Sequence, residues 1–424
     1  MSEAIGAGGD DRTFVIIGAS LAGAKAAEVL RAEGFAGRVV LVGEETVLPY
    51  ERPPLSKGYL QGKDPQEKAY VHDEAWYADN RVELMLGRRA TGLDRAAHTV
   101  TLDGVDQLRY DKLLLATGSR VRTLDVPGND LPGVRYLRTL DESTALLAAL
   151  AGGARVVVVG AGWIGLETAA AARGHGCLVT VVEMDTLPLR RVLGDEVASI
   201  FRDLHAAHEV DFRFSSGVRE FRGSNRLESV VLADGTELPA DLAVVGVGIR
   251  PATELADTAG LPVENGVVTD AALRTADPDV FACGDVAASE NPLVGKRIRV
   301  EHWANALNGG KTAALSMLGR EVTYDRVPYF FSDQYDLGME YSGYVEPGGY
   351  DEVMFRGGSS IVDGKAPEFV AFWLRDGRVL AGMNANVWDV VTPIQALVRA
   401  GFAGQPVDRT RLADPDVPLD KVLD

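Results

Sequence analysis

Two short glycine-rich segments are the residues of this sequence best suited to bind a charged ligand. They are Gly18–Gly23 (GASLAG) and Gly160–Gly165 (GAGWIG). In such a segment the first glycine allows a tight turn, the second lets the backbone approach a pyrophosphate, and the third lets a helix pack closely on a strand. Each segment therefore predicts a dinucleotide-binding turn, although Ser20 replaces the middle glycine of the first.

The residues around each glycine segment predict a complete βαβ unit. An apolar strand precedes each segment, a stretch of helical composition follows it, and a second apolar strand ends at Glu44 or at Glu183. The helix N-terminus would hold phosphates, and the acidic residue can accept hydrogen bonds from ribose hydroxyls. Because the unit occurs twice, we expect two dinucleotides on one chain, a flavin and a nicotinamide cofactor.

The repeat continues beyond each βαβ unit. Asp103-Gly104 and Asp234-Gly235 lie between apolar runs and predict hairpin turns. Each β-rich stretch then leads to a strand that opens into a glycine-containing segment, 116–118 or 246–248. A length of 424 residues is too great for one core, so several domains are expected.

Composition narrows the class of protein. The formal net charge of −18, from 43 basic and 61 acidic residues, argues against a nucleic-acid partner. The sequence has no apolar run of the roughly 18–20 residues that a membrane span needs, and residues 1–14 lack the pattern of a signal peptide. We therefore expect a short disordered lead, no membrane association and a cytoplasmic location.

The chain has only two cysteines, Cys177 and Cys283. Their separation argues against a disulfide framework, a zinc site and a redox-active dithiol, and no metal is expected. Both are interpreted as core thiols. Since no cysteine precedes Cys177, a cysteine pair beside the flavin and a single N-terminal redox cysteine are both excluded, and electrons must leave a bound flavin directly for an outside acceptor.

Four further segments carry a family resemblance: YERPPLSKGYL at 50–60, ATG at 116–118, TADPDVFACGD at 275–285 and VPYFFSDQYDLGMEYSGY at 327–344. With the glycine turns, they make the sequence similar to the two-dinucleotide-binding flavoproteins, and among these to the NADH-dependent ferredoxin reductases. The resemblance implies an α/β fold with two Rossmann-like domains, the NAD domain (120–249) inserted in the FAD domain (12–119 and 250–327). A C-terminal α+β interface or dimerisation domain (328–424) would follow.

The resemblance also implies the site residues. Lys57 would lie near the flavin ring, and Glu167 at the nicotinamide end would pair with it and steady charge during hydride transfer to flavin N5; these two are the predicted catalytic residues. Arg138 would lie near the flavin pyrophosphate or a domain hinge. The predicted cofactor-binding residues are Gly18, Ser20, Leu21, Ala22, Gly23, Glu44, Arg52, Lys57, Ala90, Thr117, Gly118, Arg138, Gly160, Gly162, Ile164, Gly165, Glu167, Glu183, Arg191, Gly246, Gly248, Gly284, Asp285, His302, Trp303 and Ala304.

The residues after the second predicted strand of the NAD unit favour NADH over NADPH. A 2′-phosphate requires Arg or Lys there, whereas Glu183 and Asp185 carry negative charge. Arg190 and Arg191 follow a few residues later and leave this interpretation open to test.

The region after residue 328 predicts a different kind of module. Strand-like runs occur at 338–345, 369–374 and 379–383, with Asp376-Gly377 as a hairpin turn and a helix at 389–399 with Asp389 as its N-cap. Phe331 occupies the position of a tryptophan in many relatives, so an electron route through that indole is in doubt. A further hypothesis assigns acceptor docking to a basic set: Lys296, Arg297, Arg299, Lys311, Arg320 and Arg326.

These features predict hydride transfer from NADH to FAD and then single-electron transfer to a small iron–sulfur ferredoxin that feeds a monooxygenase. Three alternatives stay open: a quinone acceptor, a rubredoxin acceptor, and a redox-sensing binding protein like apoptosis-inducing factor. The tail DRTRLADPDVPLDKVLD is a poor membrane anchor, which disfavours the quinone alternative. The sequence allows either a monomer or a homodimer.

Overall fold

A computed structural model describes residues 10–423, so residues 1–9 of the predicted lead and Asp424 lie outside the described part. The described chain divides into two compact units. The first unit comprises 10–51, 69–120 and 250–326, and the second comprises 52–68, 121–249 and 327–423. The second unit thus contains the region predicted to bind NAD, the predicted C-terminal domain and a short segment with Lys57. The division into three domains stays a prediction.

Strands are the commoner elements within residues 10–423. They are β1 (Thr13–Ile17), β2 (Arg38–Val42), β3 (Val82–Met85), β4 (Ala90–Asp94), β5 (Thr99–Leu102), β6 (Asp106–Arg109), β7 (Lys112–Leu115), β8 (Ser119–Val121), β9 (Val134–Arg135), β10 (Arg155–Val159), β11 (Leu178–Val182), β12 (Asp211–Arg213), β13 (Val218–Arg222), β14 (Ser229–Leu232), β15 (Glu237–Pro239), β16 (Leu242–Val245), β17 (Ile249–Pro251), β18 (Val267–Thr269), β19 (Val280–Ala282), β20 (Ala287–Asn291), β21 (Lys296–Ile298), β22 (Tyr329–Gln334), β23 (Leu337–Gly343), β24 (Glu352–Gly357), β25 (Phe369–Arg375) and β26 (Arg378–Ala385).

The α-helices lie both in the predicted nucleotide-binding regions and in the C-terminal part of the chain. They are α1 (Leu21–Ala32), α2 (Glu74–Asp79), α3 (Leu140–Leu150), α4 (Trp163–Gly174), α5 (Arg190–Ala207), α6 (Glu254–Thr258), α7 (Trp303–Met317), α8 (Val391–Phe402) and α9 (Arg409–Ala413). No helix within the described residues is long and apolar enough to cross a bilayer.

A parallel sheet forms the centre of the first unit, in the order β19-β7-β1-β2-β3. Both of its faces are buried. Phe14 and Ile16 of β1 pack in a cluster with α1 and α7, whereas Val15 and Ile17 pack in a second cluster on the opposite face. Burial on both faces explains why β1 is continuously apolar from Phe14 to Ile17 instead of alternating.

The second unit repeats this plan in a parallel sheet of order β12-β11-β10-β16-β9. Val156 and Val158 of β10 face one buried cluster, and Val157 and Val159 face another. Three-stranded sheets accompany the two cores, β4-β5-β6 and β18-β20-β21 in the first unit and β13-β14-β15 in the second. The predicted duplication of a βαβ fold is confirmed.

The C-terminal part of the second unit is an antiparallel sheet of order β22-β23-β26-β25-β24, on which α8 packs. It shares one apolar cluster with the parallel sheet. Trp373 is fully buried and its indole Nε1 donates to the Leu193 carbonyl at 3.0 Å. Gly194 interrupts α5 with a φ of +77°, where an added Cβ would lie 1.9 Å from the Tyr350 hydroxyl. The ring of Trp163 in α4 contacts the ring of Phe330 in β22, with 5.0 Å between their centres, so β22 lies beside α4.

Some predicted boundaries are wrong for identifiable reasons. The C-terminal helix begins at Val391 and its N-cap is Val390, because Asp389 has a left-handed φ of +63° and lies outside the helix. Strand β1 begins at Thr13, within the predicted lead. The sequence did not reveal β22 or β24. The three Asp-Gly turns do connect antiparallel strands, at β5–β6, β14–β15 and β25–β26.

Candidate active site

The first glycine turn lies at the carboxyl end of β1. Gly18 has a φ of +122°, and a Cβ added to it would lie 2.0 Å from the Ala116 carbonyl oxygen. An added Cβ at Gly23 would lie 2.1 Å from the Gly18 oxygen, so α1 approaches the turn too closely for any side chain. Ser20 is the N-cap of α1, but its hydroxyl donates to the Tyr50 carbonyl and does not cap the helix. The first N–H groups of α1 therefore lack a side-chain cap, as phosphate binding requires.

Three more of the predicted flavin contacts in the first unit have clear roles in the fold. Asp285 follows the turn residue Gly284, and its Oδ2 accepts a hydrogen bond from the Ser119 hydroxyl at 2.7 Å. The Trp303 indole, at the start of α7, donates to Glu51 Oε2 at 2.9 Å. The Thr117 hydroxyl donates to the Ala252 carbonyl at 2.8 Å. These three hydrogen bonds fix the side chains of Asp285, Trp303 and Thr117, which are all predicted cofactor contacts.

The other predicted flavin contacts are more varied. Glu44 is half-exposed and lies 3.6–3.7 Å from Arg120 and Arg89. Burial lowers the pKa of His302 to about 4, against the effect of the Asp285 charge, so its imidazole is neutral at pH 7. The remaining members lie within four elements or turns: Leu21 and Ala22 in α1, Ala304 in α7, Ala90 at the start of β4, and Gly118 after β7.

The second glycine turn repeats the first at the end of β10. An added Cβ at Gly160 would lie 2.4 Å from the Gly246 oxygen, and one at Gly165 would lie 2.0 Å from the Gly160 oxygen. Gly162, the N-cap of α4, differs, because an added Cβ there would meet no atom within 4 Å. Packing therefore does not require glycine at 162. The open space beside an uncapped helix N-terminus fits a dinucleotide pyrophosphate.

The predicted ribose ligand Glu183 is held by the backbone. Its Oε2 accepts from the Ala161 N–H at 2.7 Å and its Oε1 from the Asp185 N–H at 2.8 Å. The carboxylate is thus fixed next to the glycine turn. Ile164 is 45% exposed on the first turn of α4, and Gly246 and Gly248 follow β16.

Acidic partners balance the two arginines that could have favoured NADPH. Arg190 contacts Asp185 at 3.1 Å and Asp195 at 2.5 Å, and Arg191 is largely exposed and 3.8 Å from Asp185. A hydrogen bond from the Thr186 backbone, and then Arg190, lower the pKa of Asp185. The charge that would attract a 2′-phosphate is therefore already paired.

The structure brings Lys57 and Glu167 together. Lys57 Nζ lies 2.5 Å from Glu167 Oε1, and their side chains are 14% and 3% exposed. Ser56 donates to Oε2 at 2.5 Å and Ser332 donates to Oε1 at 2.7 Å. Three donors thus compensate for the burial of this carboxylate. Lys57 Nζ also lies 5.4 Å from the centre of the Phe331 ring, at cation–π distance.

Local structure explains how two distant segments hold this ion pair. The 3₁₀ segment Pro53–Ser56 has prolines in its first two positions, which preset its backbone immediately before Lys57. Glu167 lies in α4, five residues after Gly162. Arg52, the N-cap of the 3₁₀ segment, donates to the Arg138 carbonyl. Arg138 lies just before α3 and belongs to the second unit, as Arg52 does.

Sequence reasoning missed the two serines that complete this arrangement. Ser56 directly precedes Lys57, which was a predicted catalytic residue. Ser332 lies in the segment 327–344, whose similarity to the family does not by itself indicate a role for this serine. The available signal was the alternation in β22, where Phe330, Ser332 and Gln334 are buried and Asp333 is exposed. A polar residue on the buried face of a strand needs a partner.

The hypothetical basic docking patch carries less unpaired charge than its sequence suggests. Three members have acidic partners within the first unit: Arg297 with Glu264 and Glu290, Arg299 with Glu301, and Arg320 with Glu33. The patch is therefore a weak explanation for docking of an acidic protein.

Known proteins resemble this chain over almost its whole length. The family model for pyridine nucleotide-disulphide oxidoreductases matches residues 12–310, and a reductase C-terminal model matches residues 329–423. The ferredoxin–NAD(+) reductase component of the anthranilate 1,2-dioxygenase system of Burkholderia cepacia is 40% identical over 97% of this chain and 99% of its own length. The chain belongs to the ferredoxin–NAD(+) reductases of this family. It is therefore a flavoprotein oxidoreductase, and the predicted cofactors FAD and NAD(H) are confirmed.

Further relatives agree with this assignment. Putidaredoxin reductase of Pseudomonas putida is 36% identical over 96% of each chain. The crystal structure of the covalent putidaredoxin reductase–putidaredoxin complex matches with a TM-score of 0.91 at 36% identity, covering 97% of this chain and 98% of that one. The predicted fold class is confirmed. The roles of individual site residues stay predictions.

The glycine contacts predict that two substitutions in one turn act differently. Gly162→Val should leave folding and FAD content unchanged but raise the KM for NADH about tenfold or more, because lost backbone hydrogen bonds to a charged phosphate are worth about 1.5–3 kcal/mol. Gly165→Val should lower the melting temperature instead, because its side chain meets the Gly160 carbonyl. Steady-state kinetics and thermal unfolding measure both effects. An unchanged KM in Gly162→Val would contradict the pyrophosphate assignment.

The paired arginine predicts how coenzyme preference can be changed. The unaltered protein should prefer NADH. Asp185→Asn combined with Asp195→Asn should raise kcat/KM for NADPH about tenfold, because Arg190 becomes available for a charge-assisted hydrogen bond. Asp203→Asn is the matched control, since Asp203 pairs with Arg202 on the same helix. Equal or better use of NADPH by the unaltered protein would refute this account.

Proposed function

We propose that this chain takes a hydride from NADH onto FAD and passes the two electrons one at a time to a small iron–sulfur ferredoxin, which supplies an oxygenase. The state of the cysteines carries the proposal. Cys177 and Cys283 are both free and buried. Burial raises the pKa of Cys177, and it raises that of Cys283 to about 12. Neither forms a thiolate near neutral pH, so neither supplies the nucleophile of disulfide chemistry.

Electron balance then defines the acceptor. One NADH reduces two molecules of a one-electron acceptor and releases NAD(+) and one proton. Bound FAD supplies the conversion from a two-electron donor to a one-electron acceptor. With no reactive thiol in the chain, the acceptor must be a separate molecule, and the relatives of similar length are named for ferredoxin reduction.

The residues divide this work between the two units. We infer that the first unit binds FAD, with its glycine turn on the pyrophosphate and with Asp285 and Trp303 near the flavin end. The second unit binds NAD(H), with Gly162 leaving room for the pyrophosphate and Glu183 facing the ribose. Lys57 and Glu167 form a buried ion pair with no net charge. The pair holds the Lys57 ammonium as an N–H donor in a fixed place, where negative charge develops during hydride transfer.

A single assay compares ferredoxin with the other candidate electron acceptors. The assay uses purified protein loaded with FAD, NADH as donor and, in parallel, a [2Fe–2S] ferredoxin from the same organism, a rubredoxin and a short-chain quinone, all without oxygen. We expect kcat/KM for the ferredoxin to reach at least about 10⁵ M⁻¹s⁻¹, within the ordinary enzyme range. Preference for quinone or rubredoxin would contradict the proposal. A reduced complex that persists without turnover would instead favour a redox sensor.

Because NADH is abundant in the cytoplasm, we also propose a cytoplasmic location.

The ion pair gives a second prediction. Glu167→Gln should slow reduction of the flavin by NADH about 10- to 100-fold, because a charge-assisted contact of about 1.5–3 kcal/mol is lost, while FAD content stays unchanged. Anaerobic stopped-flow absorbance measures the rate. Glu209→Gln is the control, since Glu209 is 81% exposed and forms an ion pair with Arg173. A normal reduction rate in Glu167→Gln would remove the pair from the mechanism.

A further inference from the structure

A continuous row of polar side chains leads from Glu167 through the second unit. The Ser332 hydroxyl lies 2.7 Å from Glu167 Oε1, and Gln334 Nε2 lies 3.1 Å from Ser332 Oγ. His205 Nε2 lies 2.8 Å from Gln334 Oε1, and the Tyr335 hydroxyl lies 3.3 Å from His205 Nδ1. Ser332, Gln334 and His205 are at most 1% exposed. A buried row of this kind needs every donor matched with an acceptor.

Three elements and one turn residue supply the row. Glu167 lies in α4 and His205 in α5, both of the predicted NAD region, whereas Ser332 and Gln334 alternate on the buried face of β22 and Tyr335 follows that strand. The row therefore joins the C-terminal sheet to the ion pair, and within residues 10–423 Ser332 and Gln334 hydrogen-bond to no titratable side chains except Glu167 and His205. The catalytic roles proposed above for Lys57 and Glu167 make no use of Gln334 or His205.

Chemistry fixes the direction of every hydrogen bond in the row. An ionised carboxylate only accepts, so the single Ser332 proton points to Glu167. The neighbour of Ser332 must then donate, which places the Gln334 amide nitrogen on that side and its oxygen toward His205. That oxygen accepts, so His205 Nε2 carries a proton.

The imidazole completes the same pattern. Burial lowers the pKa of His205 to about 4, with the Gln334 hydrogen bond opposing this and His208 adding to it. His205 is therefore neutral at pH 7, and its Nδ1 has no proton and accepts from the Tyr335 hydroxyl. All four hydrogen bonds thus donate toward Glu167.

We propose that Gln334 and His205 are positioning residues for the Lys57–Glu167 pair. The His205 Nε2–H fixes which way the Gln334 amide faces, and that amide fixes the Ser332 hydroxyl as a donor to Glu167. This proposal rests on the proposed role of the pair in the NADH reaction. A proton path is not part of it, because the amide of Gln334 would have to pass through a high-energy tautomer to relay a proton.

The alternative arrangement shows why the imidazole matters. If the Gln334 amide rotated by 180°, its oxygen would face Ser332 and the hydroxyl would donate to that oxygen. Glu167 would then keep Ser56 and Lys57 but lose its third donor, and the carboxylate could rotate away from Lys57. The Nε2–H of His205 opposes this rotation, because the rotated amide would turn its own NH₂ group toward another donor.

Substitutions at His205 test the mechanism directly. His205→Phe removes the donor and should slow flavin reduction by NADH about tenfold, whereas His205→Gln can still donate from its Nε2 and should stay within about threefold of the unaltered rate. Anaerobic stopped-flow measures the rate, and FAD content and melting temperature are recorded for each variant. Equal rates for the two variants, whether normal or slow, would overturn the proposal.

A double-mutant cycle separates this proposal from the function of the pair. Gln334→Met should slow reduction about tenfold alone but by less than twofold when added to Glu167→Gln, because it acts through that carboxylate. Asn384→Leu is the matched control: Asn384 is also a buried amide of the C-terminal sheet, but its amide donates to Glu340 and to the Val387 carbonyl. If Glu167→Gln slows flavin reduction but Gln334→Met does not, the positioning role is refuted while the function of the ion pair stands. If Glu167→Gln reduces its flavin at the unaltered rate, the role of the Lys57–Glu167 pair in the NADH reaction is refuted.

The unaltered protein provides a test that does not depend on variants folding. Nitrogen-15 NMR of histidine-labelled holoprotein should show the His205 ring protonated at Nε2 and bare at Nδ1 at pH 7, with the signal assigned by its loss in His205→Gln. The same tautomer is expected in the protein without NADH. A ring protonated at Nδ1, or at both nitrogens, would overturn the proposed direction of the row.

Discussion

A backbone contact that leaves no room for a side chain determines both nucleotide-binding regions. The turn after β1 places Gly18 against the Ala116 carbonyl, and the turn after β10 places Gly160 against the Gly246 carbonyl. In each case the carbonyl follows the neighbouring parallel strand. Only glycine permits this approach, and the approach fixes the helix N-terminus over the carboxyl end of the sheet. The cores and the two phosphate-binding positions thus depend on the same steric constraint.

The features that could be predicted from the sequence are those in which a residue's type and its structural task coincide. The glycine turns and the Asp-Gly hairpins are local, because the residues that form the turn also identify it. The contact of Ser332 with Glu167 spans 165 positions, and nothing in either segment indicates the other. The 110-residue separation of Lys57 and Glu167 is similar, and only a family resemblance implied their pairing. Edge strand β24, in which residues 352–356 are all partly buried, lacks the alternation that identifies a strand.

The C-terminal sheet is part of the candidate site in the second unit. Its edge strand β22 packs beside α4 through the side chains of Phe330 and Ser332. Two successive residues of β22 reach the two ends of the ion pair, Phe331 at Lys57 and Ser332 at Glu167. Since neighbouring residues in a strand point to opposite faces, this strand can contact both ends at once. The apolar cluster around Trp373 holds the sheet in that register.

The two repeats have diverged in the acidic residue that follows the second strand. Glu183 accepts two backbone hydrogen bonds from its own glycine turn and the segment after it, so its position does not depend on a bound ligand. Glu44 makes longer contacts with two arginine side chains and is half-exposed. A carboxylate oriented in advance avoids the cost of ordering each time a coenzyme binds. That benefit is largest for NAD(H), which must bind and leave in every turnover, and smallest for a flavin that stays bound. Under the proposed assignment of FAD to the first unit and NAD(H) to the second, the difference between the two acids matches the different residence of the two dinucleotides.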